Sequence, residues 1–155
     1  MISKLYVYMI CSFVMLLGGC FYENNEPSLF SMSKPLKERG KDFNRMAEIM
    51  QQSGLVRVAY NSVFPIDLAH IPEVNDIRLL MNDLDVGTGV QYHIEDDYFE
   101  VLYWSSGILS RGSSIVFIKS YNSLSLIPYL KEIIDNGLME CSVINYVWSI
   151  CKKYG

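Results

Sequence analysis

Apolar residues recur along this chain at two periods, and the changes between them mark out its elements. From Ser33 the period is helical. Leu36, Phe43, Met46, Ala47 and Met50 share one face, and Lys37, Lys41, Arg45, Glu48 and Gln52 share the other. Ser33 suits the N-cap, Pro35 the first turn, and Gly54 the stop just past the end. Residues 55–60 then alternate as a short strand, with Val56, Val58 and Tyr60 on one side. Ile71-Pro72 opens a second helix whose apolar side is Val74, Ile77, Leu80, Met81 and Leu84, and Gly87-Thr88-Gly89 reads as its end.

Period two dominates the next stretch. Val90, Tyr92 and Ile94 alternate with Gln91, His93 and Glu95, and Asp96-Asp97 reads as a turn. Residues 98–104 are aromatic and β-branched, and residues 113–119 contain Ile115-Val116-Phe117-Ile118. Between them, residues 105–112 are polar, carry Gly107 and Gly112, and read as a loop. This is the pattern of a three-stranded antiparallel meander. Residues 126–135 are helical in period with Pro128 in the first turn, and Asn136-Gly137 ends them. Residues 138–154 return to strand composition with a turn around Asn145. The order predicts an α+β fold: an antiparallel sheet, built from the meander plus a C-terminal hairpin, with two or three helices packed on one face. No internal repeat is present, and residues 34–155 read as a single domain.

The start of the chain follows neither period. Lys4 is a lone positive charge, residues 5–17 are an uncharged apolar run, and Gly18-Gly19 follow. A run of that length falls short of the roughly 20 residues a membrane-spanning helix needs. Leu17-Gly18-Gly19-Cys20 resembles the lipobox of bacterial lipoproteins. That resemblance implies that residues 1–19 are a signal peptide removed before Cys20. It implies a diacylglycerol on the Cys20 sulfur and an acyl chain, such as palmitate, on its amino group. Several acyl chains hold a protein to a membrane far more firmly than one. Phe21 at the second mature position implies sorting to the outer membrane, facing the periplasm. Residues 21–33 contain Asn, Glu, Pro and Ser and read as a tether, with a mean span of about 20 Å if flexible and about 40 Å if extended.

This address changes how the four cysteines are read. Cys11 leaves with the signal peptide and Cys20 carries lipid, so Cys141 and Cys151 remain, in a compartment that oxidises thiols. In a hairpin with a three-residue loop at residues 145–147 they face each other at a non-hydrogen-bonded pair, within disulfide reach. The alternatives are two free thiols or a redox or metal pair. The last lacks both CxxC spacing and neighbouring histidines.

Composition bounds the function. Half of the residues are hydrophobic and 19% are charged, which suits a packed core. The net charge is −4, and loss of Lys4 takes the mature chain to −5. An acidic chain with scattered Lys and Arg argues against a nucleic-acid partner. Only two histidines occur, His70 and His93, and no motif for a nucleophile elbow, a zinc helix or a phosphate loop is present. The reading is of a protein that is not an enzyme and has no cofactor beyond the lipid on Cys20. Asp83-x-Asp85-x-Gly87 begins like a calcium loop. Its glycine is displaced, and Ile94 stands where the bidentate Glu belongs, so no metal is expected.

What remains as a candidate site is a surface. Asp96 and Asp97 adjoin a run of aromatics, and Tyr98 and Trp104 are the residues expected to contact a partner there, since Tyr and Trp favour interface hot spots. Tyr121, Tyr146, Trp148 and Tyr154 extend the aromatic set. Residues 99–117, FEVLYWSSGILSRGSSIVF, together with the aromatic C-terminal hairpin, are similar to a hairpin of small lipoproteins of enteric bacteria. There too a Gly-Leu/Ile turn and a Gly-Ser-Ser segment precede a closing strand with Trp, here Gly107-Ile108, Gly112-Ser113-Ser114 and Trp148. Ile115-Val116 depart from the Lys-Gly usual in that family. The resemblance implies the fold and no activity. The expectation is a membrane-anchored binding module with a protein partner, in concrete form an immunity protein against a delivered toxin. A structural accessory lipoprotein of an envelope or secretion assembly is the alternative, and an envelope enzyme the third.

Overall fold

The computed structural model describes residues 28–108 and 111–155. The residues read as a signal peptide, as a lipobox with Cys20, and as most of the tether lie outside the described residues. Three helices, α1 (Lys34–Ser53), α2 (Pro72–Asp83) and α3 (Pro128–Asp135), flank one antiparallel sheet. Its strands are β1 (Arg57–Ala59), β2 (Ser62–Phe64), β3 (Gly89–His93), β4 (Tyr98–Ile108), β5 (Arg111–Ser120), β6 (Met139–Val143) and β7 (Trp148–Tyr154). The order across the sheet is β2-β1-β3-β4-β5-β7-β6, so the meander β3-β4-β5 sits at the centre. The predicted α+β architecture is what the chain adopts.

The helix faces follow the sequence period. All five residues on the apolar side of α1 are buried, and Lys37, Lys41, Arg45, Glu48 and Gln52 are exposed. Gly54 ends α1 at φ 74°, a left-handed position that glycine takes without strain. Ser33 does not cap α1 with its side chain. A short helical turn, Leu29–Met32, leads straight into α1, and the Ser33 hydroxyl donates to the Phe30 carbonyl at 2.8 Å instead. Leu29 and Met32 pack against the core, so the segment read as tether is folded from Ser28, whose hydroxyl caps that turn.

Helix α2 stops before its glycines. Asp85 takes the left-handed position at φ 54°, the Val86 N–H reaches the Met81 carbonyl at 2.8 Å, and the Asp85 N–H reaches Asn82. These are the two bonds of a Schellman motif. Helix α3 ends with the same pair, Leu138 to Ile133 and Gly137 to Ile134, with Gly137 at φ 69° as its pattern predicts. Gly89 has a different task. A Cβ there would lie 2.8 Å from the Val58 carbonyl, so close approach of β1 requires the missing side chain.

The strands depart from the sequence reading in three places. Tyr60 leaves the first strand and, with Asn61, forms the two-residue turn into β2, which the pattern does not reveal. Ile94 falls in the β3–β4 turn, not in the strand, and is exposed. The polar stretch read as a loop is ladder: Ser105, Ser106, Gly107 and Ile108 pair with Ser114, Ser113, Gly112 and Arg111. Two strands held in register farther back carry their backbone pairing onward whatever the side chains.

Two cores result. In the larger, α1 and α2 cover Val58, Val90, Phe99, Val101, Ile115, Phe117, Trp148 and Ile150. Phe43 stands at its centre, edge-on to Phe117 at 5.3 Å and to Trp148 at 6.0 Å between ring centroids. The Trp148 indole N–H donates to the Asn44 side-chain oxygen at 3.1 Å. The smaller core lies on the opposite face, where Ile127 and Leu130 of the α3 segment meet Tyr98, Val116, Ile118, Met139 and Cys151. Thus two helices share one face as predicted, and the third covers the other. The chain is layered on both sides of β5 and β7.

The closing hairpin matches its sequence geometry. Cys141 is paired in register with Cys151, and the disulfide joins them with Cα atoms 4.1 Å apart. Hydrogen bonds from Ile144 to Trp148 and from Tyr154 to Leu138 place the cysteines at a non-hydrogen-bonded pair. Asn145 makes the turn, its side-chain oxygen accepting from the N–H groups of Val147 and Trp148.

Candidate partner-binding surface

The four residues predicted to form a partner surface are not together. Asp96 and Asp97 sit in the β3–β4 turn, at one end of the sheet. Trp104 lies six residues along β4, roughly 20 Å away at strand rise. Between Leu102 and Trp104 the register shifts, leaving Tyr103 as an extra residue opposite the β5 ladder. A bulge of this kind turns two successive side chains toward one face. Tyr103 lies against Phe117, ring centroids 4.8 Å apart and planes tilted by 31°, and Trp104 packs on the larger core. Strict alternation would put Trp104 on the face of Tyr98, and the bulge is why it is not there.

Tyr98 is corrected more sharply. Only 1% of it is exposed, and it belongs to the smaller core. Its ring stacks on His93 at 4.0 Å, the pair held opposite each other by the β3–β4 register. Neither the Tyr98 hydroxyl nor His93 Nε2 has a hydrogen-bond partner among the described residues. Burial pushes the Tyr98 hydroxyl above its ordinary pKa and pushes His93 below its own, Glu100 opposing the latter. Tyr98→Phe is therefore expected to leave stability unchanged or raise it by about 1 kcal/mol, because it removes a buried, unpaired hydroxyl. Thermal or urea unfolding of the variant checks this, and a loss above about 1 kcal/mol would reveal a partner for that hydroxyl.

Beside this pair, Glu100 accepts from Lys153 at 2.7 Å, both side chains largely buried. A hollow of about 120 Å³ opens over the uncovered half of the sheet between Arg57, Gln91, Glu100 and Leu102. His70, by contrast, is exposed. Among the described residues no group of three or more His, Cys, Asp or Glu side chains is placed to hold a metal ion.

The end of the sheet does gather an exposed surface, built from different aromatics. The Tyr92 hydroxyl donates to the Asp97 carboxylate, and burial together with that bond pushes Tyr92 up to about 12. Asp97 is held at φ 49° in the turn. Lys119 and Tyr121 close the cleft on the other side, the Lys119 ammonium 5.8 Å from the Tyr121 ring centre. Burial lowers the Lys119 pKa, and Glu48 opposes that shift. Tyr121 also lines a second hollow of about 400 Å³, shared with Leu124, Ile134, Val143, Tyr146 and Val147. Tyr121 is 72% exposed and Tyr146 90%.

The arrangement follows from topology. The β3–β4 turn, the end of β5 and the β6–β7 loop emerge on one side because successive strands run antiparallel, and the Ser120 N–H bonds to the Val147 carbonyl. Tyr121 thereby stands between two recesses, the cleft bordered by Asp97 and the half-buried Lys119 and the hollow it shares with Tyr146. Such a mixture of aromatic anchors and charge is how proteins recognise other proteins. Tyr121 and Tyr146 stand in the sequence among eleven tyrosines, and no local pattern separates them from the buried ones. The chain matches no protein-family model, no curated protein and no solved structure.

Proposed function

We propose that this protein is a membrane-anchored lipoprotein of the bacterial envelope whose folded domain is a binding module for another protein. The lipobox at Cys20 supports the anchor, on the outer membrane and facing the periplasm. The observation that carries the binding role is the pair Tyr121 and Tyr146, left bare around one hollow, with Tyr121 also lining the cleft that Asp97 borders. Large aromatics stay exposed at a cost in solubility, and a patch rimmed by polar residues is the usual form of an interaction site. The acidic balance suits a basic partner, drawn in by long-range attraction. In its concrete form the module is an immunity protein that neutralises a delivered toxin.

The test uses the full chain, tagged at its C-terminus and cross-linked in intact cells. A specific envelope partner is expected. Tyr121→Ala combined with Tyr146→Ala should weaken its capture by about 2 kcal/mol or more, roughly thirtyfold, with unfolding unchanged. Capture that survives both substitutions would remove this surface from the reading. For the immunity form, deleting the gene should sensitise cells to the toxin while envelope assembly proceeds as before.

A further inference from the structure

Helix α1 carries a cationic stripe that neither core uses. Lys34, Lys37, Lys41 and Arg45 are all exposed; Lys34 and Lys37 are an i, i+3 pair before the kink at Arg39 (φ −117°, ψ 23°), and Lys41 and Arg45 an i, i+4 pair after it. They lie opposite the buried ridge of Leu36, Phe43, Met46, Ala47 and Met50. The acidic residues of this stretch are on the flank. Glu38 lies 3.7 Å from Lys34, and Asp42 accepts from Arg39 at 2.6 Å. Lys37, Lys41 and Arg45 have no acidic partner among the described residues, so the ridge is positive in an otherwise acidic chain. Glu48 marks its far end.

An aromatic stands at the near end. Leu29 and Met32 pin their helical turn to the core, and this leaves Phe30 83% exposed, with the Lys37 ammonium 5.2 Å from its ring centre. Lysines and arginines along a helix with one exposed aromatic are the chemistry that settles at a lipid headgroup boundary.

We infer that this face of α1, with Phe30, docks on an anionic phospholipid surface and so fixes the orientation of the domain. Two observations select that occupant. The charge is complementary to acidic headgroups, whereas the rest of the chain is repelled by them. The second rests on the lipoprotein reading. Only residues 21–27 separate Cys20 from Ser28, a span of at most about 30 Å, so Phe30 and the stripe are held close to the bilayer at high effective concentration. Docked in this way, the domain turns the Tyr121–Tyr146 hollow away from the membrane. That hollow is lined by Cys141, Val143 and Ile134, on the face covered by α3, and α1 packs on the other.

The test is on the mature protein purified from membranes and reconstituted with Phe30→Trp, read as emission in excess of the wild-type Trp104 and Trp148 signal. Vesicles containing phosphatidylglycerol should give a blue shift that vesicles of phosphatidylcholine do not, and about 0.5 M salt should reverse it. Combined Lys37→Glu, Lys41→Glu and Arg45→Glu should abolish the shift, while co-sedimentation with both vesicle types persists through the acyl chains. Equal emission on the two lipids, or a shift indifferent to charge reversal, overturns the docking face. Sedimentation with anionic vesicles alone, lost on charge reversal, supports the docking face and overturns the anchor. The Trp148 environment and the thermal transition report that each variant is folded.

Discussion

Replacing Phe43 with alanine is expected to cost about 3–5 kcal/mol, the largest single-residue loss in the domain. Phe43 is fully buried and bridges the helix layer to the sheet, edge-on to Phe117 and Trp148. Its loss removes the transfer energy of the ring and leaves a cavity between side chains that cannot collapse into it. Phe117 is held by the β5 ladder, and Trp148 by its bond to Asn44. Domains of this size have about 5–15 kcal/mol in total, so the variant should sit near the edge of stability. Urea unfolding checks the magnitude, with a fall in melting temperature on the order of 10–20 °C. A loss below about 1.5 kcal/mol would mean that Phe99 and Tyr103 repack into the space.

Removing the Cys141–Cys151 disulfide by substituting both with alanine is expected to cost about 2–3 kcal/mol. The bond closes a short loop, with a sequence separation of 10, so the entropy it withholds from the unfolded chain is modest. Cys151 also fills space in the smaller core beside Val116 and Leu130, which is why alanine, not a polar residue, isolates the cross-link. Reductant should lower the stability of the wild-type protein to a similar extent and leave the double variant untouched. Denaturant unfolding under both conditions reads the difference. Equal wild-type stability with and without reductant would show that the hairpin is held without the bond. If it is, the seven-residue β7, paired on both sides, supplies the reason.

Much of this architecture was legible before any tertiary structure. The burial of the Phe43 and Met81 faces, the glycine stops at Gly54 and Gly137, and the Cys141–Cys151 register are local consequences of period, backbone freedom and turn length. The candidate site was legible only in part. Asp96 and Asp97 declare a turn because short polar side chains tolerate its dihedrals, and Asp97 does sit at positive φ. Tyr98 and Trp104 could not be sorted in this way. One is enclosed by α3, which begins only at Pro128, and the other is turned by a bulge that no residue type announces.

By itself, the sequence determined which residues share a helix face, where α1 and α3 stop, and how the last hairpin is paired. Each depends on neighbours a few residues away. Only the tertiary structure decided which face of the sheet each helix covers, and that the polar stretch after Trp104 continues as ladder. It also decided that, among the described tyrosines, Tyr121 and Tyr146 stand out the most exposed. The physical reason is that a strand offers both faces and both edges equally. Its burial is settled by elements distant in sequence, and Tyr121 and Tyr146 are exposed because no such element reaches them.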